Sequence, residues 1–473
     1  MYIKRISSIA LMCLTFGSTY AQRYMGLATG SYDAINALYL NPASISGCNE
    51  KIVVNLFSLN VALDNSLGTF SKLSNIGSSN GDAFKFSGDQ PFSMVVPALD
   101  LRLPAIMISL NDKLKQSFAL NFRIRGMNQF NHFDPTLYRT VTSSDHVDQD
   151  YHFTTNNFNW TAHVWSEIGL SYALQVLDNG PHKIKAGITL RYLGGVDYLS
   201  LKGKNLDVTY KQGNDTFYAQ HSDLEFASNA ISADNAFKNG VDASGIFSSL
   251  FGAKAGSGFG MDLGVTYTYN IGSGDDIGPP QLMQKPEGHR LTASVAITDI
   301  GSIKYKEGKN FVVNVSGDGH LTGKELSDKV SNYTEFKNYI ASKGFQADTG
   351  SKATKVYMPT SLIIGADYQI WKKFYVNATY IANLANRQNV GNSYYNQLTI
   401  TPRFDYKLIT MGLPITYSSL AKDIKVGIGF RISGFFFGSD DMLALINDNQ
   451  HGFGFFFGFY VPIFRKASKG DYY

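Results

Sequence analysis

The sequence predicts an all-β protein, a transmembrane antiparallel up-and-down β-barrel of about 14 strands with an N-terminal hatch segment and short loop helices. In an extended strand every second side chain shares a face, so residues 452–461 place a row of phenylalanines opposite a face rich in glycine. A similar alternation of apolar and small or polar residues recurs along most of the chain. A barrel with lipid outside and space inside accounts for this pattern better than a large soluble all-β protein, which is the alternative.

Composition supports this prediction and excludes one class of partner. The 473 residues include 28 Tyr and 33 Phe, enough for aromatic girdles at two membrane interfaces, although only 3 Trp are present. The net charge is +4 and charged residues make up 17% of the chain. No strong positive field would therefore attract nucleic acid.

Residues 1–21 predict a secretory signal peptide. Lys4 and Arg5 precede a short apolar core, and Ala21 suits cleavage before Gln22. Cleavage would remove Cys13 and leave Cys48, so the mature chain would have no intramolecular disulfide. No later apolar run approaches the ~20 residues that a helical span needs. An exported chain of this kind is expected in the bacterial outer membrane.

Residues 22–50 form the predicted hatch segment. They precede the first strand and lack the alternation of the strands. Pro42 fixes its own φ and removes a backbone donor, which suits a rigid corner in a plug. We expect this segment at the periplasmic mouth or within the lumen, followed by the barrel at 51–464 and a C-terminal tail at 465–473.

Thirteen segments are predicted to be spanning strands from their alternation. They are 51–61, 101–110, 116–130, 158–175, 182–200, 259–271, 288–300, 358–370, 373–383, 396–406, 408–418, 423–437 and 452–463. Single-chain bacterial barrels have even strand numbers. One strand is therefore missed or merged, and the regions 301–317 and 408–437 are the candidates.

The connections differ in length. Several are short and turn-like, as at 178–181 and 371–373. Long polar loops are predicted at 62–100, 131–157, 201–258 and 301–357. Within them, 323–343 has helical spacing of apolar residues and 241–251 predicts a second short helix. Short turns on one side and long loops on the other are typical of outer-membrane barrels.

Charged residues on the predicted inner face are the candidate functional residues. Buried charges must be paired or hydrated, so they could hold the hatch segment in place or line a solute path. Their mixed signs favour the first interpretation. The set comprises Arg123, Arg125, Glu167, Lys185, Arg191, Asp262, Asp367, Arg403, Asp405 and Arg431.

No motif indicates catalysis. Asp145, His146, Asp148, Asp150 and His152 are crowded into one loop, but their spacing matches no calcium loop. The glycines at 252–264 lead into a strand rather than a helix, which argues against phosphate binding. We therefore predict no enzyme activity, no catalytic residue, no cofactor and no metal site.

Two sets of residues carry a resemblance to known families. Asn41, Pro42 and Ala43, shortly after the signal, resemble the amino-terminal segment of FadL-like outer-membrane barrels. Residues 298–303, 362–368, 429–431 and 438–440 are similar to an uncharacterised Bacteroidetes outer-membrane family, the DUF5723 proteins. The resemblance covers nearly the whole mature chain and implies a barrel of about 14 strands whose hatch enters the lumen.

The resemblance also implies a range of functions. FadL-like barrels admit hydrophobic molecules, so passage of a small hydrophobic or amphipathic solute is one expectation. Related barrels work in gliding-motility and type IX secretion complexes, so a non-transport scaffold with envelope protein partners is the alternative. Outer-membrane lipid is the expected partner in both cases.

Overall fold

The computed structural model describes most of the chain. It covers residues 24–70, 84–86, 90–110, 113–136, 149–229, 255–270, 290–306, 310–322, 325, 329, 333–350, 353–443 and 447–464. The predicted signal peptide, the C-terminal tail, the helix at 241–251 and the residues Asp145, His146 and Asp148 lie outside these ranges.

The first half of the described chain is almost entirely β-structure. Its strands are β1 (Glu50–Asn65), β2 (Gly68–Phe70), β3 (Phe84–Phe86), β4 (Phe92–Arg102), β5 (Ala105–Ser109), β6 (Ser117–Phe133), β7 (Tyr151–Thr155), β8 (Phe158–Asn179), β9 (His182–Lys211), β10 (Thr216–Asn229), β11 (Gly256–Tyr269) and β12 (Leu291–Tyr305). A short helix α1 (Ala34–Ala37) and a 3₁₀ turn at Pro42–Ile45 precede them, and a second 3₁₀ turn occupies Gln212–Asn214.

The second half continues the same sheet. Its strands are β13 (Asn310–Thr322), β14 (Gln346–Gly350), β15 (Thr354–Tyr357), β16 (Ser361–Trp371), β17 (Phe374–Asn383), β18 (Gln397–Asp405), β19 (Ile409–Gly412), β20 (Ile415–Ser418), β21 (Asp423–Val426), β22 (Ile428–Ile432), β23 (Phe435–Ser439) and β24 (Gly452–Phe464). Helix α2 (Tyr333–Ser342) lies between β13 and β14.

The sheet closes into a barrel because β24 pairs antiparallel with β1, with Glu50 opposite Phe464. Several barrel strands are interrupted. Strands β4 and β5 both pair with β6 and are two parts of one barrel strand, and β19 and β20 both pair with β18 in the same way. Pro104 and Pro414 stand at these two breaks and cannot donate a ladder hydrogen bond. Joining interrupted parts yields a closed barrel of 14 antiparallel strands.

The predicted fold class and strand number are confirmed, with one correction to the strand list. The segment 423–437, predicted as one strand, is two strands that meet at the turn Ser433–Gly434. Ser433 adopts a positive φ of 56°, which closes a tight hairpin. The merged strands therefore lie in the region 408–437. Aromatic residues continue on both sides of the turn, so the sequence pattern does not show the change of strand direction.

The barrel has a short-turn end and a long-loop end. Both Glu50 and Phe464 lie at the end that carries the short turns 180–181, 372–373 and 433–434, which is the periplasmic end. At the other end, strands continue into all four regions that were predicted to be loops, so these predictions were wrong in part; the regions are 62–100, 131–157, 201–258 and 301–357. Strand β9 has 30 residues, whereas a span needs about 9–11. The excess forms an extracellular sheet whose core includes Val208, Val313 and Tyr339.

The outer surface of the barrel is apolar. Its outward-facing side chains alternate with buried inward residues, and at least 44% of each is exposed. Examples are Leu170, Leu190, Val265, Ile364 and Ile400. A closed antiparallel barrel with such a belt is an outer-membrane protein in contact with lipid. Among the described residues, no helix is long and apolar enough to cross a membrane.

We expect Ile400→Arg to destabilise the protein in lipid by about 2–4 kcal/mol, since Ile400 is outward-facing in the middle of β18. Ile432→Arg is the matched control, because Ile432 also faces outward but ends β22 beside the periplasmic turn. The cost there should fall to about 0–1 kcal/mol. Urea unfolding from lipid vesicles measures the free energy of unfolding of both variants. Equal losses of stability would contradict this placement of the membrane.

Candidate functional site

Residues 24–49, the described part of the hatch segment before β1, lie inside the barrel. Tyr24, Met25 and Leu27 are fully buried, and Ile35 and Leu38 are 2% and 1% exposed. These side chains share an apolar cluster with Phe436, Phe456 and Tyr460 of the wall. Ser46 donates from Oγ to the carbonyl oxygen of Lys115 in a periplasmic turn at 2.9 Å. The segment therefore fills the periplasmic half of the lumen.

The Asn41-Pro42-Ala43 corner rests on two wall glycines. Gly187 and Gly264 are opposite each other in β9 and β11. A Cβ at Gly187 would lie 2.4 Å from the Ala43 nitrogen, and a Cβ at Gly264 would lie 2.0 Å from Asn41 Oδ1. The Asn41 side chain accepts from the Ala43 N–H at 2.9 Å and donates to the carbonyl oxygen of Val265 at 3.1 Å. Only residues without a side chain permit so close an approach.

A second contact joins the start of the hatch segment to a charged cluster on β16, β18 and β22. Arg403 Nη1 donates to Thr29 Oγ1 at 2.7 Å, and Nη2 to Asp367 Oδ2 at 3.0 Å. Asp405 Oδ2 accepts from the Ser31 N–H at 2.7 Å. Arg431 instead donates to turn carbonyls such as that of Tyr406, at 2.9 Å. These four predicted residues therefore lie together. Arg403 donates to the hatch segment and Asp405 accepts from it, and the Arg431 guanidinium lies 5.8 Å from the ring centroid of Tyr32 in that segment. Asp367 supports Arg403.

The other predicted arginines belong to a separate cluster, the lumen charge network, above the hatch segment. It pairs four arginines with four carboxylates, all almost fully buried, so its formal charges balance. Its members are Arg102, Arg123, Arg125, Arg191, Asp100, Glu167, Asp262 and Asp299.

The lumen charge network contacts the hatch segment through Arg102. Its Nη1 donates to Asn36 Oδ1 at 2.5 Å, and its guanidinium lies 3.9 Å from the Tyr39 ring centroid. Asp100 accepts from Arg102 and from Arg123, the latter at 2.5 and 2.7 Å. The sequence analysis missed Asp100 because it assigned this residue to the preceding loop, and it left out Arg102 although this residue lies within the predicted strand 101–110. Their alternation with Leu99, Leu101 and Leu103 was the available signal.

An inward-folded extracellular connection, residues 384–396, closes the lumen from above. Asn392 donates to the carbonyl oxygen of Thr161 at 3.0 Å, and Ser393 N–H donates to Gln129 Oε1 at 2.8 Å. The Tyr394 hydroxyl accepts from Arg125 and donates to Asp299 at 3.3 Å. The lumen charge network is thus held from below by the hatch segment and from above by this connection. Nothing in the sequence of 384–396 indicated that it folds inward.

A cavity of about 180 Å³, the hatch cavity, separates part of the hatch segment from the wall. The hatch side presents small or apolar residues such as Ala34, Ala37 and Leu40. The wall side presents hydroxyl, amide and charged groups of β9, β11, β12, β16 and β17. They are Lys183, Lys185, Thr266, Thr268, Thr292, Ser294, Asp367, Asn377 and Thr379. The hatch side also contributes polar residues and the wall side Ala296 and Ile363, so apolar and polar groups line the cavity on both sides; the polar hatch residues are Thr29, Ser31, Asn41, Ser44 and Asn49.

The hatch segment also carries a buried carboxyl group. Burial raises the pKa of Asp33 to about 6, and the nearby Arg431 offsets part of this rise. Asp33 Oδ1 accepts from Asn36 Nδ2 at 2.8 Å. Within the described ranges, no three His, Cys, Asp or Glu side chains are grouped to hold a metal ion. Asp150 and His152 of the crowded loop instead pair with Lys211 and Asp207.

A family model described as a family of unknown function, DUF5723, matches residues 42–440. No curated protein matches the chain.

Solved structures with a similar chain path include the toluene transporter TbuX of Ralstonia pickettii, which is 12% identical. That match covers 94% of this chain and 98% of the other, with a TM-score of 0.41. A Pseudomonas aeruginosa FadL homologue is 11% identical, with coverages of 94% and 97% and a TM-score of 0.40. A deletion mutant of the monoaromatic hydrocarbon channel TodX is 12% identical, with coverages of 93% and 97% and a TM-score of 0.43.

Proposed function

The chain belongs to the DUF5723 family, whose function is unknown, and we propose from its geometry that it is a gated outer-membrane channel for a small amphipathic solute. The hatch segment is the gate in this proposal, and no catalytic step is part of it. The hatch cavity carries the proposal, because a permanent plug would be expected to pack against the wall on all sides. A space lined by both apolar and polar groups is also suited to an amphipathic solute.

The contacts of the hatch segment support a reversible closure. It is held by hydrogen bonds such as those of Thr29, Ser31 and Asn36, at 2.5–2.7 Å, rather than by strand pairing with the wall. Water can replace such bonds when the segment moves, since each contributes only about 0.5–1.5 kcal/mol net, or about 1.5–3 kcal/mol with a charged partner. The apolar part of the solute would enter through the extracellular half, where Trp165, Leu193 and Val356 form a cluster.

The alternative is a scaffold in an envelope, gliding or type IX secretion complex. The observation that favours it is the double closure of the lumen, by the lumen charge network and by residues 384–396. A scaffold would need no solute path, so both closures would be permanent.

A disulfide lock tests the proposal. Asn41→Cys and Gly264→Cys would face each other, because a Cβ at Gly264 lies 2.8 Å from Asn41 Cγ. The two Cβ atoms are then close enough for the ~3.5–4.5 Å separation of a disulfide. The background carries Cys48→Ser. We expect proteoliposomes in isotonic 6-aminohexanoate to swell with the reduced protein and not with the oxidised protein.

Each single-cysteine variant is a control for oxidation and should behave alike in both redox states. Asn41→Cys should resemble the reduced double variant, whereas Gly264→Cys, whose Cβ would lie 2.0 Å from Asn41 Oδ1, should displace the hatch segment and swell in both states. Absence of swelling with the unmodified protein, under every redox condition, would contradict the channel and favour the scaffold.

A further inference from the structure

We propose that the outer surface of the barrel binds the phosphate monoester of an outer-leaflet lipid through Lys304 and Lys355. This site lies on the lipid-facing surface rather than in the lumen, so it is independent of the channel proposed above. Three features of the described strands point to it. They are the height of the two lysines in the membrane, the register that pairs them and the chemistry of the row in which they lie.

A row of outward-facing side chains marks the extracellular edge of the apolar belt. Tyr192 lies opposite Phe259 in the sheet, and their ring centroids are 5.9 Å apart. The row continues through Ser302 to Tyr357. Its three aromatic side chains are exposed by 45%, 77% and 36%. Between Phe259 and the periplasmic end of β11 at Tyr269 the chain has about the 9–11 residues that a strand needs to span a bilayer. This row is therefore the aromatic girdle at the extracellular interface.

The two lysines lie in the next row of outward-facing side chains towards the extracellular end. Lys304 of β12 lies directly opposite Lys355 of β15. Both side chains are exposed, whereas Tyr305 and Val356, which follow them in the chain, are fully buried. Directly opposed side chains have Cβ atoms about 4.5–5.5 Å apart, and like charges at such positions destabilise a sheet. An anion bound between the two ammonium groups would offset this repulsion.

The row of the two lysines provides hydroxyl groups and, within the described strands, no carboxylate. Its other members are Ser166, Gly194 and Ser257. Neither lysine forms an ion pair with a described residue, and the Lys355 Nζ atom lies 4.8 Å from the ring centroid of Tyr357. Lys306, just beyond β12, adds a third exposed ammonium group. Ammonium and hydroxyl groups donate hydrogen bonds, and these are the partners that phosphate oxygens accept from.

A lipid with a phosphate monoester matches both rows at once. Its phosphate carries a charge of about −1.5 to −2 near pH 7, so two lysines nearly neutralise it. Its acyl chains would extend past the aromatic row along the apolar belt, where Leu190, Val265 and Ile364 are exposed. A free phosphate ion would contact the lysine row alone. The position of the lysines directly above the aromatic girdle therefore favours a lipid headgroup.

Competition between two lipids tests this site. The protein is purified in a non-ionic detergent and mixed with equimolar dioleoylphosphatidic acid, a phosphate monoester, and dioleoylphosphatidylcholine, which has the same acyl chains and no net charge. Native mass spectrometry measures the amount of protein that retains each lipid. We expect the phosphatidic acid complex to exceed the phosphatidylcholine complex by about tenfold or more, since each lysine near an anionic lipid strengthens binding by about fivefold.

The ratio of the two complexes should fall to about two or less in the variant Lys304→Gln/Lys355→Gln. Lys204→Gln/Lys211→Gln is the matched control, because it removes the same charge from exposed positions of the extracellular sheet, and it should leave the ratio unchanged. Lys304→Arg/Lys355→Arg keeps both charges and should keep the preference. If the glutamine double variant does not fold, Lys304→Gln alone serves, together with a fall of the ratio in the unmodified protein as ionic strength rises.

A ratio of about one in the unmodified protein would overturn the proposal, and so would an equal fall of the ratio in the control variant. Inorganic phosphate in excess should not displace phosphatidic acid, because it lacks the acyl chains that contact the belt. Displacement would make free phosphate the ligand and overturn the assignment to a lipid. Failure of the swelling experiment would reject transport and leave this lipid site unaffected.

Discussion

Deletion of residues 24–46 should raise the single-channel conductance of the protein severalfold in planar lipid bilayers. The deleted residues fill the periplasmic half of the lumen, and they are attached by side-chain contacts rather than by strand pairing. The wall behind them carries Arg403, Asp405 and several threonines, which water can solvate once the segment is absent. The barrel should therefore remain folded and show heat-modifiable migration on gels.

A point substitution can test the same displacement without shortening the chain. A Cβ at Gly412 would lie 2.0 Å from the carbonyl oxygen of Gly26, so Gly412→Val should push the hatch segment off the wall. Gly126→Val is the matched control, because a Cβ there would lie 3.6 Å from Val164 Cγ2, an ordinary contact distance. We expect raised conductance for the first variant alone.

Unchanged conductance after the deletion would have a specific meaning. The lumen charge network and residues 384–396 would then close the pore without help. The hatch segment would be removed from the mechanism, and the scaffold function would gain support.

Asp100→Asn should lower the free energy of unfolding by about 3–5 kcal/mol, since it breaks a buried ion pair and leaves the opposite charges in place. Asp100 is 2% exposed and accepts from Arg102 at 3.2 Å and from Arg123 at 2.5 and 2.7 Å. Without that carboxylate the guanidinium groups of Arg102 and Arg123 repel each other in a site that water barely reaches.

The measurement is urea unfolding in detergent micelles, followed by the loss of heat-modifiable migration. Asp223→Asn is the matched control, because Asp223 is 50% exposed and 3.6 Å from the exposed Lys204. A surface pair of this kind contributes about 0–1 kcal/mol. Similar losses in both variants would show that the lumen charge network contributes little to stability.

Much of the fold could be predicted from local pattern. The alternation along β6, β9, β11 and β24 indicated which side chains face lipid, because a strand places successive residues on opposite faces whatever its neighbours are. The position of Arg123, Arg125, Arg191, Arg403 and Arg431 on the inner face followed from the same rule. The even strand number of barrels then indicated that the list of 13 predicted strands had missed or merged one.

The sequence by itself therefore determined the barrel fold, its location in the outer membrane and the inward orientation of its charged side chains, since these depend on the alternation of residues and on composition. Only the tertiary structure decided how the lumen is filled. The contact of Asn41 with Gly264, and that of Asn36 with Arg102, join residues separated by 223 and 66 positions. No local periodicity encodes such pairs, because they arise where an irregular segment meets a wall already closed by pairing of β1 with β24.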